Sequence, residues 1–204
     1  MIFDFDGVLV ESNHIRQEGF TRLFHSYPVD KVREFECYVH ANGGISRYKK
    51  IRYFFNEILG RKITEMRIKE LAEEYSNLVF KKIINAEMVE GVLKFLESQH
   101  KRYDMAVVSG SDQAELKRII KAKLMDFYFC EILGSPVEKI DNLLRLLANR
   151  KWKVEECLYI GDSSNDLWAC REVGLPFLGR QSGLIDWRKE NVRFIQDLHG
   201  LRNI

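Results

Sequence analysis

The sequence predicts an α/β fold, in which an open, doubly wound parallel sheet is interrupted near its start by a helical insertion. Short apolar or β-branched runs alternate with helix-period stretches in the later part of the chain, which is the pattern of a parallel sheet with crossover helices. Between residues 13 and 87, strand-like runs vanish and helical periodicity dominates. We therefore predict a core formed by residues 1–12 and 88–204 and a helical insertion formed by residues 13–87.

Four runs supply the predicted strands. They are Ile2–Phe5, Met105–Val108, Phe129–Leu133 and Cys157–Ile160. Helix-period stretches at 113–122 and 140–148 lie between the later runs. Ligands of such sheets bind beyond the carboxyl ends of the strands, where Asp4, Ser109 and Asp162 are expected to lie.

The insertion places Tyr48, Ile51 and Phe55 at helical spacing. Several basic residues lie among these aromatic residues, a combination that also occurs in nucleic-acid-binding surfaces. The helical spacing favours a buried stripe instead, with the charges on the solvated or site-facing side of the helix. The net charge of +2 is too small to indicate a nucleic acid or an anionic membrane as partner.

Composition gives the broad class of protein. Apolar residues make up 46% of the 204 residues and charged residues 30%, as in an ordinary globular protein. The four cysteines lack CxxC spacing, and the first residues lack the pattern of a signal peptide. We expect a cytoplasmic protein with reduced thiols and no membrane partner.

The first candidate motif is the segment Asp4-Phe5-Asp6-Gly7-Val8-Leu9-Val10-Glu11-Ser12, at the end of the first predicted strand. Side chains two residues apart on a strand share a face, so Asp4 and Asp6 can address one substrate. An ionised carboxylate can attack phosphorus, and a neighbouring carboxylic acid can protonate a leaving alkoxide. The alternative is a turn that only ends the strand.

The second motif is the segment Val107-Val108-Ser109-Gly110-Ser111, an apolar run that enters a small-residue turn before a helix. Backbone N–H groups and a hydroxyl at a helix start form a natural anion site. The alternative is that Ser111 or Asp112 only caps the helix that follows.

A third motif places Lys139 in the first turn of a predicted helix. A cation is disfavoured at that end of a helix, so a phosphate or a carboxylate cluster nearby would explain it. The alternative is an exposed surface lysine.

The fourth motif is Tyr159-Ile160-Gly161-Asp162-Ser163-Ser164-Asn165-Asp166, in which the acidic residues come directly after a predicted buried strand. Asp162 and Asp166 are four residues apart across a helix start, which brings two oxygen ligands near one point. Such a site suits Mg²⁺ and offers little to zinc. The alternative is helix capping by Asp162 or Ser163.

Together and in this order, these motifs resemble those of the haloacid dehalogenase superfamily, in its phosphatase and phosphomutase members with a Rossmann-like core. The resemblance implies that Asp4 is the nucleophile and Asp6 the acid and base. It implies that Ser109, Gly110 and Lys139 bind the phosphoryl group. Mg²⁺ would be held by Asp4, Asp162 and the backbone carbonyl of Asp6, with Asp166 orienting the metal shell or Lys139.

The insertion resembles the helical cap of the phosphoglycolate phosphatase and β-phosphoglucomutase branch. In that branch a cap loop contributes to specificity, so we expect Arg47 to reach the leaving group of the substrate when the cap closes. The alternative for Arg47 is a solvated side chain on a cap helix. One departure from the relatives is Glu11, where they often carry Asp.

The favoured function is Mg²⁺-dependent hydrolysis of a small phosphate monoester, such as a sugar phosphate. The same motifs allow a phosphomutase, in which the cap excludes water long enough for transfer to a sugar hydroxyl. A non-catalytic phosphate-binding module is disfavoured, because every expected catalytic residue type is present.

Overall fold

The computed structural model describes residues 1–203, with side chains described for residues 1–201. Its strands are β1 (Ile2–Phe3), β2 (Ala106–Asp112), β3 (Glu131–Ser135), β4 (Tyr159–Gly161), β5 (Phe177–Arg180) and β6 (Phe194–Ile195). They form one parallel sheet in the order β3-β2-β1-β4-β5-β6. The predicted α/β fold is confirmed. The strand order reverses between β1 and β4, which is where open sheets of this type bind ligands.

The helices fall into two groups along the chain. The insertion contains α1 (Asn13–Leu23), α2 (Val29–Ala41), α3 (Arg47–Tyr53) and α4 (Glu65–Asn85), with a π-helical turn at Phe54–Ile58 directly after α3. The remainder contains α5 (Val92–Gln99), α6 (Gln113–Ala122), α7 (Lys139–Arg150) and α8 (Ser164–Val173). The predicted helix at 113–122 has the bounds of α6, and the one at 140–148 lies within α7.

Both faces of the sheet are buried because successive strand residues point to opposite sides. Phe3 and Ile160 belong to one apolar cluster, which includes residues of α5, α6 and the insertion. Ile2 and Tyr159 belong to a second cluster, which includes residues of α7 and α8. Apolar residues at consecutive strand positions therefore serve two cores, as expected for a parallel sheet covered on both sides.

An aromatic cluster holds the insertion together. The rings of Phe24 and Phe54 stack with centroids 4.0 Å apart, and those of Phe20 and Tyr75 lie 4.3 Å apart. Side chains of Ser46 and Thr64 cap the starts of α3 and α4. These caps satisfy backbone N–H groups that a helix start otherwise leaves without partners.

Several strand boundaries differ from the sequence predictions. Strand β3 begins and ends two residues later than the predicted strand at 129–133. Strand β2 continues to Asp112, four residues beyond the predicted end at Val108. The sequence patterns do not predict β5 and β6, because the apolar run of β5 stops at Gly179 and Arg180 and β6 has only two residues. Among the described residues, no helix has the length and apolar character needed to cross a membrane.

Candidate active site

The loops that leave β1 and β4 bring the predicted acidic residues together. Asp4 and Asp162 each follow the end of a strand and are almost fully buried. Strand β1 ends at Phe3, so Asp4 and Asp6 lie in the loop after the strand and not on the strand itself, where the sequence pattern placed them. Both side chains nevertheless line one cavity of about 60 Å³.

Gly7 makes this tight arrangement of loops possible. Its φ is +72°, in the left-handed region that favours glycine. A Cβ atom at this position would lie 2.0 Å from Oδ2 of Asp162. The chain can therefore turn away after Asp6 while Asp162 stays beside the turn.

Three buried carboxylates form the centre of the site. Oxygen atoms of Asp4, Asp162 and Asp166 all lie within 4.8 Å of one another. Burial, together with the charge of Asp166, raises the pKa of Asp4 well above its usual value. Burial and the same neighbouring charge raise the pKa of Asp162 to about 7. Both shifts disfavour the ionised carboxylates, first through burial and then through repulsion by the neighbouring Asp166.

Lys139 provides the cation next to this cluster. It is the first residue of α7, and its ammonium donates to Asp166 and, at 3.2 Å, to Oδ2 of Asp4. Burial favours the neutral amine, but the charges of Asp166 and Asp4 outweigh burial and raise the pKa of Lys139. The carboxylates thus explain why a lysine stands at the start of α7. The Lys139 side chain is buried, so it is not an exposed surface lysine.

Both carboxylate oxygens of Asp166 are engaged in hydrogen bonds. Its Oδ1 accepts from Lys139 and, at 2.8 Å, from the Tyr159 hydroxyl. Its Oδ2 accepts from the backbone N–H groups of Asp162 and Ser163 and from the Ser163 hydroxyl. Ser163 caps α8, and with Asp166 it forms a capping box. The fourth motif therefore caps α8 and also holds Lys139 in the site.

Asp6 is held from three sides. Its Oδ1 accepts from Ser12 at 2.5 Å and from Arg16 at 2.9 Å, and its Oδ2 accepts from Ser111 at 2.6 Å. Burial favours the neutral acid, but the Arg16 charge and the hydrogen bonds from Ser111 and Ser12 hold the pKa of Asp6 below its usual value. Asp6 is therefore a carboxylate in this arrangement.

Two of the predicted phosphate-binding residues, Ser109 and Gly110, line the same cavity as Asp4 and Asp6. Both residues belong to β2, and Ser109 is buried. A Cβ atom on Gly110 would lie 2.0 Å from the carbonyl oxygen of Gly44 in the insertion. The absence of a side chain at Gly110 lets the insertion close directly over this turn. Asp112, not Ser111, caps α6, as its carboxylate accepts from the first backbone N–H groups of the helix.

The insertion supplies the opposite wall of the cavity. Arg47 is buried, so it is not a solvated side chain, and it lines the cavity. Its guanidinium donates to both carboxylate oxygens of Glu115, at 2.6 and 2.9 Å, and to Ser76 at 2.5 Å. Lys50 also lines the cavity from α3.

This geometry agrees with a family match that covers most of the chain. The model for the haloacid dehalogenase-like hydrolases matches residues 1–179. The chain belongs to this family. As a haloacid dehalogenase-like hydrolase, it is an enzyme.

Individual relatives align with nearly the whole of this chain. The phosphoglycolate phosphatase of Haemophilus influenzae (strain 86-028NP) is 26% identical over 189 residues, which are 89% of this chain and 84% of the relative. A hydrolase from Pseudomonas syringae superposes with a TM-score of 0.81 at 21% identity, covering 100% of this chain and 97% of that one. CbbY from Rhodobacter sphaeroides, in complex with phosphate, has a TM-score of 0.76 at 16% identity and covers 98% and 95% of the two chains.

The sequence patterns of this hydrolase do not reveal every residue at the site. Arg16 and Glu115 lie outside the four motifs, although each contacts a predicted site residue. Tyr159 is the first residue of the fourth motif, but the sequence assigns no role to its hydroxyl, which donates to Asp166. Glu115 lies on a regular helix and Arg16 on another, where charged residues are normally solvated. The only sequence signal for Glu115 is its apolar surroundings on α6, which is a weak indicator. Glu11 pairs with Arg180 through a carboxylate-guanidinium contact.

The carboxylate cluster of Asp4, Asp162 and Asp166 suits a magnesium ion. The cluster offers carboxylate oxygens, and it contains no histidine or cysteine. Mg²⁺ prefers such oxygen ligands, usually one or two carboxylates with water and substrate oxygens. The raised pKa values of Asp4 and Asp162 indicate unbalanced negative charge that a divalent cation would neutralise.

Proposed function

We propose that this enzyme is a Mg²⁺-dependent phosphatase that hydrolyses a small phosphate monoester through an aspartyl-phosphate on Asp4. The observation that carries the proposal is the buried cluster of Asp4, Asp162 and Asp166 with Lys139 against it. The similarity to a phosphoglycolate phosphatase and to a structure in complex with phosphate supports the same reaction class. The small cavity favours a small leaving group.

Magnesium would be held by the carboxylates of Asp4 and Asp162 and by the backbone carbonyl of Asp6. When bound, it would neutralise charge on the phosphoryl oxygens and on the attacking carboxylate. Asp166 would orient Lys139, since its oxygens already accept from Lys139, Tyr159 and Ser163.

In the first half-reaction, Asp4 attacks phosphorus. A bond forms between a carboxylate oxygen of Asp4 and phosphorus while the bond from phosphorus to the leaving oxygen breaks. Asp6 gives a proton to that leaving oxygen, so the product is an alcohol. Ser109, the Gly110 backbone and Lys139 bind the phosphoryl oxygens throughout.

In the second half-reaction, water replaces Asp4 on phosphorus. Asp6, now a carboxylate, takes a proton from the water as its oxygen attacks, and the bond from Asp4 to phosphorus breaks. The products are inorganic phosphate and the Asp4 carboxylate, and Asp6 again carries the proton with which the cycle began.

The contact between Arg16 and Asp6 affects the protonation state of Asp6 in this cycle. With Arg16 at 2.9 Å, Asp6 is held in the ionised form that the second half-reaction uses. The first half-reaction needs a proton on Asp6. We therefore propose that substrate entry weakens the contact between Arg16 and Asp6, which raises the pKa of Asp6 for the first step.

We also propose that residues 13–87 act as a cap over a catalytic core of residues 1–12 and 88–204. Contacts between the two parts close the cavity: Tyr48 donates to Asp112 at 2.7 Å and Asn165 donates to the Gly44 carbonyl at 3.1 Å. Arg47 would act on the leaving-group side. Its Nη1 and Nη2 atoms donate to Ser76 and Glu115, so contact with the substrate would use the remaining N–H groups or exchange one of these partners.

The test is release of inorganic phosphate from an aryl phosphate with and without Mg²⁺. We expect turnover that requires Mg²⁺, and an acid-stable, base-labile phosphoryl adduct that is lost in Asp4→Asn. A protein that binds phosphate but shows no turnover would indicate a binding module. Transfer of the phosphoryl group to a sugar hydroxyl in preference to water would indicate a phosphomutase.

A further inference from the structure

Helix α1 begins without a side-chain cap, although its first residues are of types that normally provide one. Ser12 occupies the N-cap position and Asn13 is the first helical residue, and Ser12 makes no capping hydrogen bond. The Ser12 hydroxyl donates to Asp6 at 2.5 Å, and the Asn13 amide donates to Oδ2 of Asp162 at 2.6 Å. Loss of a cap destabilises a helix, so these contacts need an explanation other than helix stability.

Asn13 joins the insertion to a proposed ligand of the metal. It is the first residue of the insertion, and Asp162 follows β4, 149 positions later in the chain. Both side chains line the same cavity as Asp4. Ser182, in the loop after β5, also hydrogen-bonds to Asp162. Asp162 is therefore held by Ser182 from the core and by Asn13 from the insertion.

The hydrogen bond between Asn13 and Asp162 packs against the turn that follows Asp6. A Cβ atom on Gly7 would lie 2.0 Å from Oδ2 of Asp162 and 2.2 Å from Nδ2 of Asn13. The amide thereby fixes one carboxylate oxygen of Asp162 beside the peptide unit of Asp6 and Gly7. The backbone carbonyl of that unit is the group with which Asp162 would share the magnesium ion.

We propose that Asn13 is a positioning residue of the metal site, whose amide holds Asp162 in the orientation that binds Mg²⁺ and so couples Mg²⁺ affinity to docking of the first turn of α1. This inference rests on the Mg²⁺ site of the proposed function. Mg²⁺ demands near-ideal octahedral geometry, so a carboxylate that is free to rotate binds it more weakly. Coupling is reciprocal, so bound Mg²⁺ should also hold the first turn of α1 in place.

The first test is a calorimetric titration of the protein with Mg²⁺. Asn13→Ala removes the amide, and His14→Ala is the matched control because it changes the next residue of α1, which is exposed. We expect the Kd for Mg²⁺ to rise about 10- to 100-fold in Asn13→Ala, the typical effect of losing a group that orients a metal ligand. His14→Ala should bind Mg²⁺ like the wild type. Equal Kd values for Asn13→Ala and the wild type would overturn the proposal.

Thermal unfolding without Mg²⁺ separates positioning of Asp162 from a role in folding. Loss of one hydrogen bond should lower the melting temperature of Asn13→Ala by no more than about 2–4 °C in a chain of this size. A larger decrease would show that Asn13 mainly stabilises the fold, and the proposal would be wrong.

Hydrogen exchange of the backbone amides of α1 tests the coupling. Saturating Mg²⁺ should slow this exchange in the wild type, because the ion fixes Asp162 and Asp162 holds Asn13. In Asn13→Ala, at a Mg²⁺ concentration that saturates the variant, exchange should be unaffected by the ion. Equal slowing in both proteins would show that the coupling does not pass through Asn13, which also overturns the proposal.

Release of phosphate from an aryl phosphate distinguishes failure of this proposal from failure of the proposed function. A wild type that binds Mg²⁺ more tightly than Asn13→Ala but never releases phosphate would overturn the phosphatase function and support the role of Asn13. An active wild type with an Asn13→Ala deficit that excess Mg²⁺ does not restore would overturn the role of Asn13 alone. A wild type that binds no Mg²⁺ would overturn both.

Discussion

Glu115 binds the guanidinium of Arg47 through both of its carboxylate oxygens, at 2.6 and 2.9 Å, and this pair joins helix α6 to the insertion. Arg16 donates to the same carboxylate at 2.5 Å. Two helices of the insertion therefore converge on one acidic residue that is 3% exposed. Removal of this carboxylate would leave the buried Arg47 guanidinium without its ion-pair partner and Arg16 with Asp6 alone.

The first prediction concerns the stability that this carboxylate provides. Glu115→Gln should lower the free energy of unfolding by about 3–5 kcal/mol, the range for breaking a buried ion pair from one side. Urea unfolding at neutral pH measures this loss. Glu138→Gln is the matched control, because Glu138 pairs with Lys49 of the insertion but is half-exposed, where a pair contributes about 0–1 kcal/mol. Similar losses in both variants would contradict a special role for Glu115.

The same pair predicts how stability depends on pH. Burial disfavours the Glu115 carboxylate, but the charges and hydrogen bonds of Arg16 and Arg47 outweigh burial and hold its pKa well below the ordinary 4.5. A depressed pKa contributes stability that is fully present above pH 4.5 and is lost as the pH falls through the lower folded-state value. Between neutral pH and pH 3 (roughly the range where unfolded carboxyls titrate), Glu115→Gln should therefore lose less stability than the wild type. An equal pH dependence in the two proteins would argue against this linkage.

Sequence alone could predict the centre of the site but not its surroundings. Asp4, Ser109, Lys139 and Asp162 are detectable because each follows or adjoins an apolar run, and parallel strands bring their carboxyl ends to one edge. Contacts such as that between Arg16 and Glu115 join residues 99 positions apart on separate helices. No local pattern encodes such a pair, because it arises only when the insertion packs against α6.

The second prediction separates function from stability at Asp4. Its carboxylate is buried among other negative charges, and its raised pKa means that the ionised form disfavours the folded state at neutral pH. Asp4→Asn should lower turnover more than about 10³-fold, as expected for loss of a nucleophile, while its melting temperature stays equal or increases. Phosphate release and thermal unfolding measure the two effects.

Asp166→Asn is the matched control within the same cluster. Asp166 is the principal partner of Lys139 and accepts several hydrogen bonds, so its loss should destabilise the protein by about 1–3 kcal/mol. If Asp4→Asn were the less stable of the two variants, the interpretation of the Asp4 charge would be wrong.

The third prediction concerns the metal. A ligand that binds only the folded protein stabilises it, by about 2.7 kcal/mol at 100 times its Kd. Mg²⁺ should therefore raise the melting temperature of the wild type, because it relieves repulsion between Asp4 and Asp162. The shift should disappear in Asp162→Asn and persist in Asp141→Asn, which changes an exposed acidic residue of α7. A shift that survives Asp162→Asn would place the ion elsewhere.

The last prediction tests Asp6 as an acid and base. Removal of such a group typically costs about 10²–10⁴ in rate, so Asp6→Asn should be slow with an alkyl phosphate, whose alkoxide needs a proton to leave. An aryl phosphate releases a phenolate that needs little protonation, so its phosphorylation step should lose much less. Single-turnover measurements isolate this step from the later hydrolysis, in which Asp6 acts as the base for both substrates. Because Asn keeps the shape of the side chain, its amide oxygen can still accept from Ser12 while its NH2 group donates to the Ser111 hydroxyl, so the fold should be preserved. Equal losses with the two substrates in the phosphorylation step would show that Asp6 only positions its neighbours, and the proton would then have to come from another group.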